Sequence, residues 1–295
     1  MTTRPEVAAA VPADCREAVG ELTGSPAAWE RWTDRNGVAV WKVSGPSGTW
    51  AVKAGRNEGA AVVGRESAVM RRIDGTVAVA SFGGRARCGR SVSTAWLLTP
   101  WLEGPSTWDA FQEVRDKRGN YETPLQAAVD LCTAVGQLHQ AGWVHGDLQP
   151  HHAIHTPDGV RLIDCSWSSH VTMPPSTAHE GGMVHFMSPE LMLRIESGER
   201  PVATSQTDEV YTLASSLWWA ASNRWPLDYR AVGIDPATFP AIELRRLRLR
   251  HRIPLTSMTH WPELGDVLGQ VLTTHPAQRP TAVQLAQRLH SIGTG

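Results

Sequence analysis

The alternation of apolar and polar residues changes character twice along the chain. Up to about residue 28 the sequence is rich in Ala and Pro and weakly patterned. A short helix fits Ala13–Leu22, where Asp14 and Glu17 suit the helix dipole, inside an extension expected to be loosely held. From Trp29 the pattern turns strand-like. Val38–Val43 is β-branched and alternating, Ser44-Gly45-Pro46-Ser47-Gly48 signals a turn, and Thr49–Lys53 is a second strand. Glu58–Ile73 has helical spacing, with Val62, Val63, Val69, Met70 and Ile73 on one face. Strand-like runs follow at Val77–Phe82 and Ser91–Leu98. Residues 29–100 therefore predict a small antiparallel sheet carrying one helix.

Pro100–Gly104 breaks the pattern, and helices dominate after it. Leu125–Gln140 is amphipathic, and Gly142 stops it. Val160–Ile163 reads as a short buried strand, and Glu209–Ala221 and Ala282–His290 as further helices. No internal repeat is visible.

Composition narrows the class. The 295 residues carry 28 basic and 29 acidic side chains, a formal charge of −1, so nothing draws the whole chain to nucleic acid or to an anionic membrane. No apolar run approaches the ~18 residues of a membrane span, and no secretory signal is visible. The four cysteines, Cys15, Cys88, Cys132 and Cys165, are scattered; they read as reduced thiols of a cytoplasmic protein, not as a disulfide framework or zinc site. The aromatic usage is skewed, with 13 Trp against 3 Tyr and 4 Phe. Most of these indoles are expected in cores or cleft walls.

Two carboxylates stand out. Asp147 sits in Val144-His145-Gly146-Asp147-Leu148-Gln149-Pro150-His151-His152, and Asp164 follows a short strand. One acid can orient a hydroxyl nucleophile while the other holds Mg²⁺ against nucleotide phosphates. Upstream, Lys53 ends a strand and Glu66 lies on the next helix, with Glu58 as an alternative on the same stretch, a pairing that would fix a lysine beside phosphates. His145, His151, His152 and His155 form a cluster that invites a zinc reading, for which a transition metal would want at least three ligands on one side of a cage.

In this arrangement the chain resembles the eukaryotic-like Ser/Thr protein kinases. The catalytic-loop pattern H-R-D-L-K-P-x-N is similar to His145–His152, and D-F-G to Asp164-Cys165-Ser166. Ser188-Pro189-Glu190 resembles the end of an activation segment. Asp208 with Val210–Leu213 resembles the start of a central helix, and His275–Pro280 an arginine motif. The motifs stand in the family's order from Trp29 to about His290. The resemblance implies an α+β bilobal fold: an extension over 1–28, a β-rich lobe over 29–100, and a hinge and mainly helical lobe over 101–295. It also implies a buried Glu190–Arg279 ion pair. ATP is expected at the hinge, with Gly37, Val40, Ala51 and Lys53 near it, Thr99 as gatekeeper, and backbone groups of Trp101 and Leu102 meeting the adenine. Asp147, Lys53 and Glu66 are the expected catalytic set, and Asp164 and His152 the expected Mg²⁺ ligands.

The departures are specific. Only Gly37 remains of the glycine-rich phosphate loop. Gly146 replaces the arginine that reads a phosphorylated activation segment, which implies constitutive or partner-controlled activity. Gln149 replaces the catalytic-loop lysine, Met183 a threonine, and His152 the metal-binding asparagine. The expected function is transfer of the γ-phosphate of ATP to a Ser/Thr hydroxyl of a protein or peptide. A narrower form is a peptide that is dehydrated afterwards. The alternatives are a small-molecule kinase of aminoglycoside type, suggested by the His-Gly-Asp spelling, and a nucleotide-binding pseudokinase acting as a scaffold. Arg245, Arg246, Arg248, Arg250 and Arg252 read first as a solvated helix face, and otherwise as a docking patch for an acidic segment of the protein substrate. Without interleaved aromatics the run does not suggest nucleic acid.

Overall fold

The computed structural model describes residues 11–76, 82, 84 and 86–293. These residues form two compact units, one reaching to Glu103 and including Asp164–Trp167, the other comprising Gly104–Ile163 and the chain from Ser168 onward. The first is β-rich and the second mainly helical, an α+β bilobal, kinase-like fold. Among the described residues no helix is long and apolar enough to cross a membrane.

The first unit opens with helix α1 (Ala13–Thr23), followed by β1 (Ala28–Arg35), β2 (Val38–Gly45), β3 (Gly48–Arg56), α2 (Glu58–Ile73), β4 (Arg87–Arg90) and β5 (Thr94–Pro100). The strands make one antiparallel sheet in the order β1-β2-β3-β5-β4. The strand expected over Val77–Phe82 lies outside the described residues, apart from Phe82. Ser91, expected in a strand, belongs to the β4–β5 turn, where its N–H donates to the Thr94 carbonyl at 2.8 Å.

Alternation along the strands sorts the sheet's two faces. Ala39, Trp41 and Val43 of β2, Val52 and Ala54 of β3, and Trp96 and Leu98 of β5 are buried in a single cluster with Val11, Cys15 and Val19. Residues 11–23 are therefore held on the sheet, against the loose attachment expected from their weak pattern, while residues 1–10 of that extension lie outside the described residues. Cys15, Val19 and Thr23 recur every four residues and place one helix face on the sheet. Polar contacts fix it there: Trp96 Nε1 donates to Asp14 at 2.9 Å, and the Ser47 N–H to the Thr23 carbonyl at 2.9 Å.

The opposite face carries Val40, Lys42, Ala51, Lys53, Leu97 and Thr99, because Val40 pairs with Lys53 and Lys53 with Leu97, while Lys42 pairs with Ala51 and Ala51 with Thr99. β1 and β2 are joined by Asn36-Gly37, both at positive φ (54° and 72°), the geometry of a tight two-residue hairpin turn. This turn rests on the β3–α2 connection: the Gly37 carbonyl accepts from the Arg56 N–H at 2.9 Å, and a Cβ on Gly59 would stand 2.2 Å from that carbonyl. A Cβ on Gly55 would in turn stand 2.2 Å from the Gly59 carbonyl.

The second unit has the single-turn helices α3 (Thr107–Ala110) and α4 (Gln112–Arg115), then α5 (Glu122–Gln140), β6 (Trp143–Val144), β7 (Ala153–Thr156), β8 (Gly159–Leu162) and β9 (Ser169–His170). After these come α6 (Pro189–Glu196), α7 (Gln206–Ser222), α8 (Ala241–Arg250), α9 (Pro262–Thr273) and α10 (Ala282–Ile292). The helices at 125–140, 209–221 and 282–290 are present with slightly wider bounds. α7 is buried nearly all round, with Val210, Tyr211, Leu213, Ala214, Leu217 and Trp218 in the core. Capping boxes at Ser205/Asp208 and Thr281/Gln284 start α7 and α10 by satisfying their first N–H groups. All four cysteines are free.

Candidate active site

Lys53 leaves β3 on the partly covered face of the sheet, where its Nζ lies 2.8 Å from Glu66 Oε2 of α2 and makes a second, very short contact to Asp164 Oδ1. Glu66 is only 5% exposed, placed inward by the apolar side of α2. Burial by itself would lower the lysine's pKa. The charges of Glu66 and Asp164 outweigh it and hold the ammonium above its ordinary value. Asp164 has φ +58°, a left-handed conformation that Asp tolerates, and its side chain keeps 40% of its surface exposed. The turn Cys165–Trp167 after it packs on α2. Cys165 stands where D-F-G has an aromatic, and burial pushes its thiol well above the usual value, so it stays protonated.

Val40, Ala51, Lys53 and Thr99 share one face of the sheet, all half-buried. Trp101, just past β5, donates its N–H to the Thr49 carbonyl at 3.0 Å, and Lys42 Nζ stands 4.7 Å over its ring. Leu102 follows it, half-buried. Gly37 has a different place. Its positive φ and its carbonyl are used by the β1–β2 turn, which accounts for the glycine without a phosphate.

In the second unit the loop carrying Asp147 hangs from α7. Glu209, 1% exposed, accepts from the backbone N–H groups of His145 (3.1 Å) and Gly146 (2.7 Å) and lies 2.8 Å from His139 Nε2. Burial alone would raise its pKa. The bonds and charge of His139, with His145 and the Gly146 N–H, hold it below the ordinary carboxylate value. His145 is fully buried, and that burial holds its imidazole below its usual pKa, hence neutral. Its Nε2 lies 2.9 Å from the Ile163 carbonyl, which can only accept, so Nε2 carries the proton. Nδ1 is then free to accept the Asp147 N–H at 3.3 Å.

Among the described residues the carboxylate accepts from Gln149 Nε2 at Oδ1, 3.2 Å away, and His152 Nδ1 lies 3.9 Å from its Oδ2. Gln149 thus reaches the acid but brings no charge to it. His152 Nδ1 donates to the Asp147 carbonyl at 2.9 Å, so this ring braces the loop. Room beside the acid depends on Gly182 (φ +74°), where a Cβ would press to 3.0 Å from Oδ1.

Farther along, Arg279, 7% exposed, binds Glu190 at 2.5 Å and the Thr207 carbonyl at 2.7 Å, the ion pair expected from the resemblance. The basic run is a correction. Arg245, 6% exposed, and Arg246 share Glu196 at 2.7 and 2.8 Å. Arg248, 7% exposed, donates to the carbonyls of Val184 and Met187. Arg245 and Arg248 are one turn apart beside buried Leu244, so α8 turns them inward; only Arg246, Arg250 and Arg252 remain on the surface.

No protein-family model matches the chain. Among curated proteins, one named as a serine/threonine-protein kinase from Acanthamoeba polyphaga mimivirus is 26% identical over 172 residues, covering 58% of this chain and 57% of its own. The serine/threonine-protein kinase AfsK of Streptomyces griseus is 28% identical over 240 residues, 78% of this chain and 26% of its own. Human serine/threonine-protein kinase 16 is 21% identical over 213 residues, 67% of this chain and 66% of its own. Over most of its length the chain is similar to proteins named as serine/threonine-protein kinases. It spans about half of the viral relative and about a quarter of AfsK.

Within this kinase-like chain, the structure brings Lys53, Glu66 and Asp164 together and sets Asp147 in a braced loop. The sequence reading missed Glu209. Glu209 enters the sequence reading only as the first residue of the helix over Glu209–Ala221. The same reading missed Asn36-Gly37, a strong hairpin signal whose glycine belongs to the turn.

Proposed function

We propose that the chain moves the γ-phosphoryl group of ATP to a Ser/Thr hydroxyl of a protein or peptide. The observation that carries this reading is Lys53 held between Glu66 and Asp164, with kinase-named relatives in support. In this reading Lys53 neutralises phosphate charge, and Glu66 keeps it extended toward that task. Val40, Ala51 and Thr99 offer the base an apolar wall on one face of the sheet, and Trp101 and Leu102 offer it backbone groups. Asp147 accepts the hydroxyl proton and orients the nucleophile, while Gln149 holds the carboxylate without charging it.

A divalent ion supplies charge neutralisation on the transferred group when bound. Asp164, a hard oxygen donor with an exposed carboxylate, fits Mg²⁺, which takes few protein ligands and completes its shell with phosphate oxygens and water. Among the described residues no group of three or more His, Cys, Asp or Glu is placed to hold a metal ion. His152 fits less well. Its Nδ1 is bonded to the Asp147 carbonyl, and nitrogen is a poor Mg²⁺ donor.

The test is Mg²⁺-dependent transfer of labelled phosphate from ATP to a generic protein acceptor. Asp147→Ala is expected to lower kcat by about 10²-fold or more, the scale of a lost general base. Transfer unaffected by Asp147→Ala, or label appearing only on an aminoglycoside, would sink the proposal.

A further inference from the structure

Between β9 and α6 the chain runs without helix or strand, tied down at both ends. β9 pairs with β6, and Ser188 caps α6 and donates to Asp208 at 2.6 Å. Of the ten residues Val171–Glu180, His179 alone is buried, at 1% exposed. A polar ring leaves water at a cost unless hydrogen bonds replace those it had. Its Nε2 lies 3.1 Å from Thr204 Oγ1, on the residue just before the Ser205 cap of α7, and its backbone N–H donates to the Ser176 carbonyl at 3.0 Å. Burial holds the imidazole below its usual pKa, against the opposing charges of Asp147, Glu209 and Glu180, so the ring is neutral.

The residues after His179 give this anchor something to hold. Gly181 and Gly182 both have positive φ, 90° and 74°. Neither has room for a side chain. A Cβ on Gly181 would stand 2.7 Å from Met187 Cε and 2.8 Å from Ile195 Cδ1, and one on Gly182 would stand 3.0 Å from Asp147 Oδ1 and 3.3 Å from the Gly146 carbonyl. Two adjacent glycines make a freely turning joint, and this one lies against the Asp147 loop. Downstream it is held by buried Met187 and Ser188, and by the Phe186 N–H on the Met183 carbonyl at 2.9 Å. Upstream, within Val171–Glu180, the one buried side chain is that of His179.

We propose that His179 is a positioning residue. Its buried ring, hooked to Thr204, fixes the Gly181-Gly182 joint beside Asp147, so the unmodified chain already presents the acceptor side of the site in working form. Only that last clause rests on the phosphotransfer reading; the pinning of the joint does not.

The test compares the whole chain with its His179→Ala, His179→Gln and Thr204→Val variants. Hydrogen exchange at the Gly181 and Gly182 amides, without ATP, reads the joint directly. It should quicken about tenfold or more in His179→Ala and roughly three- to tenfold in Thr204→Val, one neutral hydrogen bond's worth, while the amides of α7 keep their protection. Gln keeps a polar group within reach of Thr204 and should recover much of what Ala loses. In transfer assays His179→Ala should raise the KM for a protein acceptor about tenfold and leave the KM for ATP within about twofold, a split that a general loss of stability would not give. Where His179→Ala does not fold, Thr204→Val carries the same comparison. A wild-type chain shown by mass to carry no phosphate should transfer without a lag. Faster exchange in the variants, with no transfer by any chain, would defeat the phosphotransfer reading and sustain the anchor. Exchange at the joint that ignores both substitutions, or that quickens equally in α7, would overturn the anchor and leave phosphotransfer standing. A wild type that transfers only after phosphorylation of its own segment would do the same.

Discussion

Replacing Lys53 by Met leaves the nearly buried Glu66 carboxylate near Asp164 with no cation between them. Unfolding by urea should then show a loss of about 2–3 kcal/mol, below the range for a fully buried pair because Asp164 keeps 40% of its surface exposed. Phosphate transfer should fall by about 10²–10³, the scale for removing a preorganised charge. His185 makes a different prediction. Its folded pKa of about 4 lies below the ordinary histidine value, so the unfolded chain binds more protons between the two. The contribution is complete above about pH 6.5 and is lost as pH falls toward 4, at most about 3 kcal/mol in total. Urea midpoints measured from pH 7 to 4 should fall through that window, and His185→Phe should flatten the decline.

Among the elements, α7 does most to place the chemistry, because one carboxylate on it closes two backbone N–H groups and an imidazole. Glu209→Ala should cost about 3–5 kcal/mol, since it strands donors that water cannot reach. Transfer should fall with it even at temperatures where the variant stays folded. A urea midpoint paired with a rate at 15–20 °C separates the two effects. This element also marks how far the sequence could be read. The period of α7 was visible, but not the role of Glu209, whose partners are main-chain groups remote in sequence. α1 was half-visible: a helix was readable, but its few apolar residues gave no sign that a sheet face waited for them. The inward turn of Arg245 and Arg248 was hidden for a related reason. Guanidiniums that end on carbonyls or on Glu196 look, in sequence, like a solvated charge run.

For the whole molecule, ligand binding should appear as stability. A chain that holds Mg²⁺·ATP gains about 2.7 kcal/mol at a hundredfold excess over Kd, roughly a 5 °C rise in Tm. Thermal scans should show that rise in the wild type and after Asp147→Ala, and should lose it after Lys53→Met. The β-rich and mainly helical parts of the fold were legible because the hydrophobic period changes from that of strands to that of helices after Pro100–Gly104. The cysteines were legible too, since scattered thiols imply no staple. The phosphate loop was not, because a single remaining glycine fits a hairpin turn as well as a phosphate cradle.

Gly37, Gly55 and Gly59 meet backbone to backbone, with no side chain between the hairpin turn, the end of β3 and the first turn of α2. Together they act as a spacer of zero thickness, and they set how near the helix bearing Glu66 can come to the strand bearing Lys53. A methyl group at position 55 or 59 is a wedge at one end of that assembly and a missing ion pair at the other. The phosphotransfer proposed for this chain should therefore be lost on substituting a residue that touches none of the groups proposed to perform it.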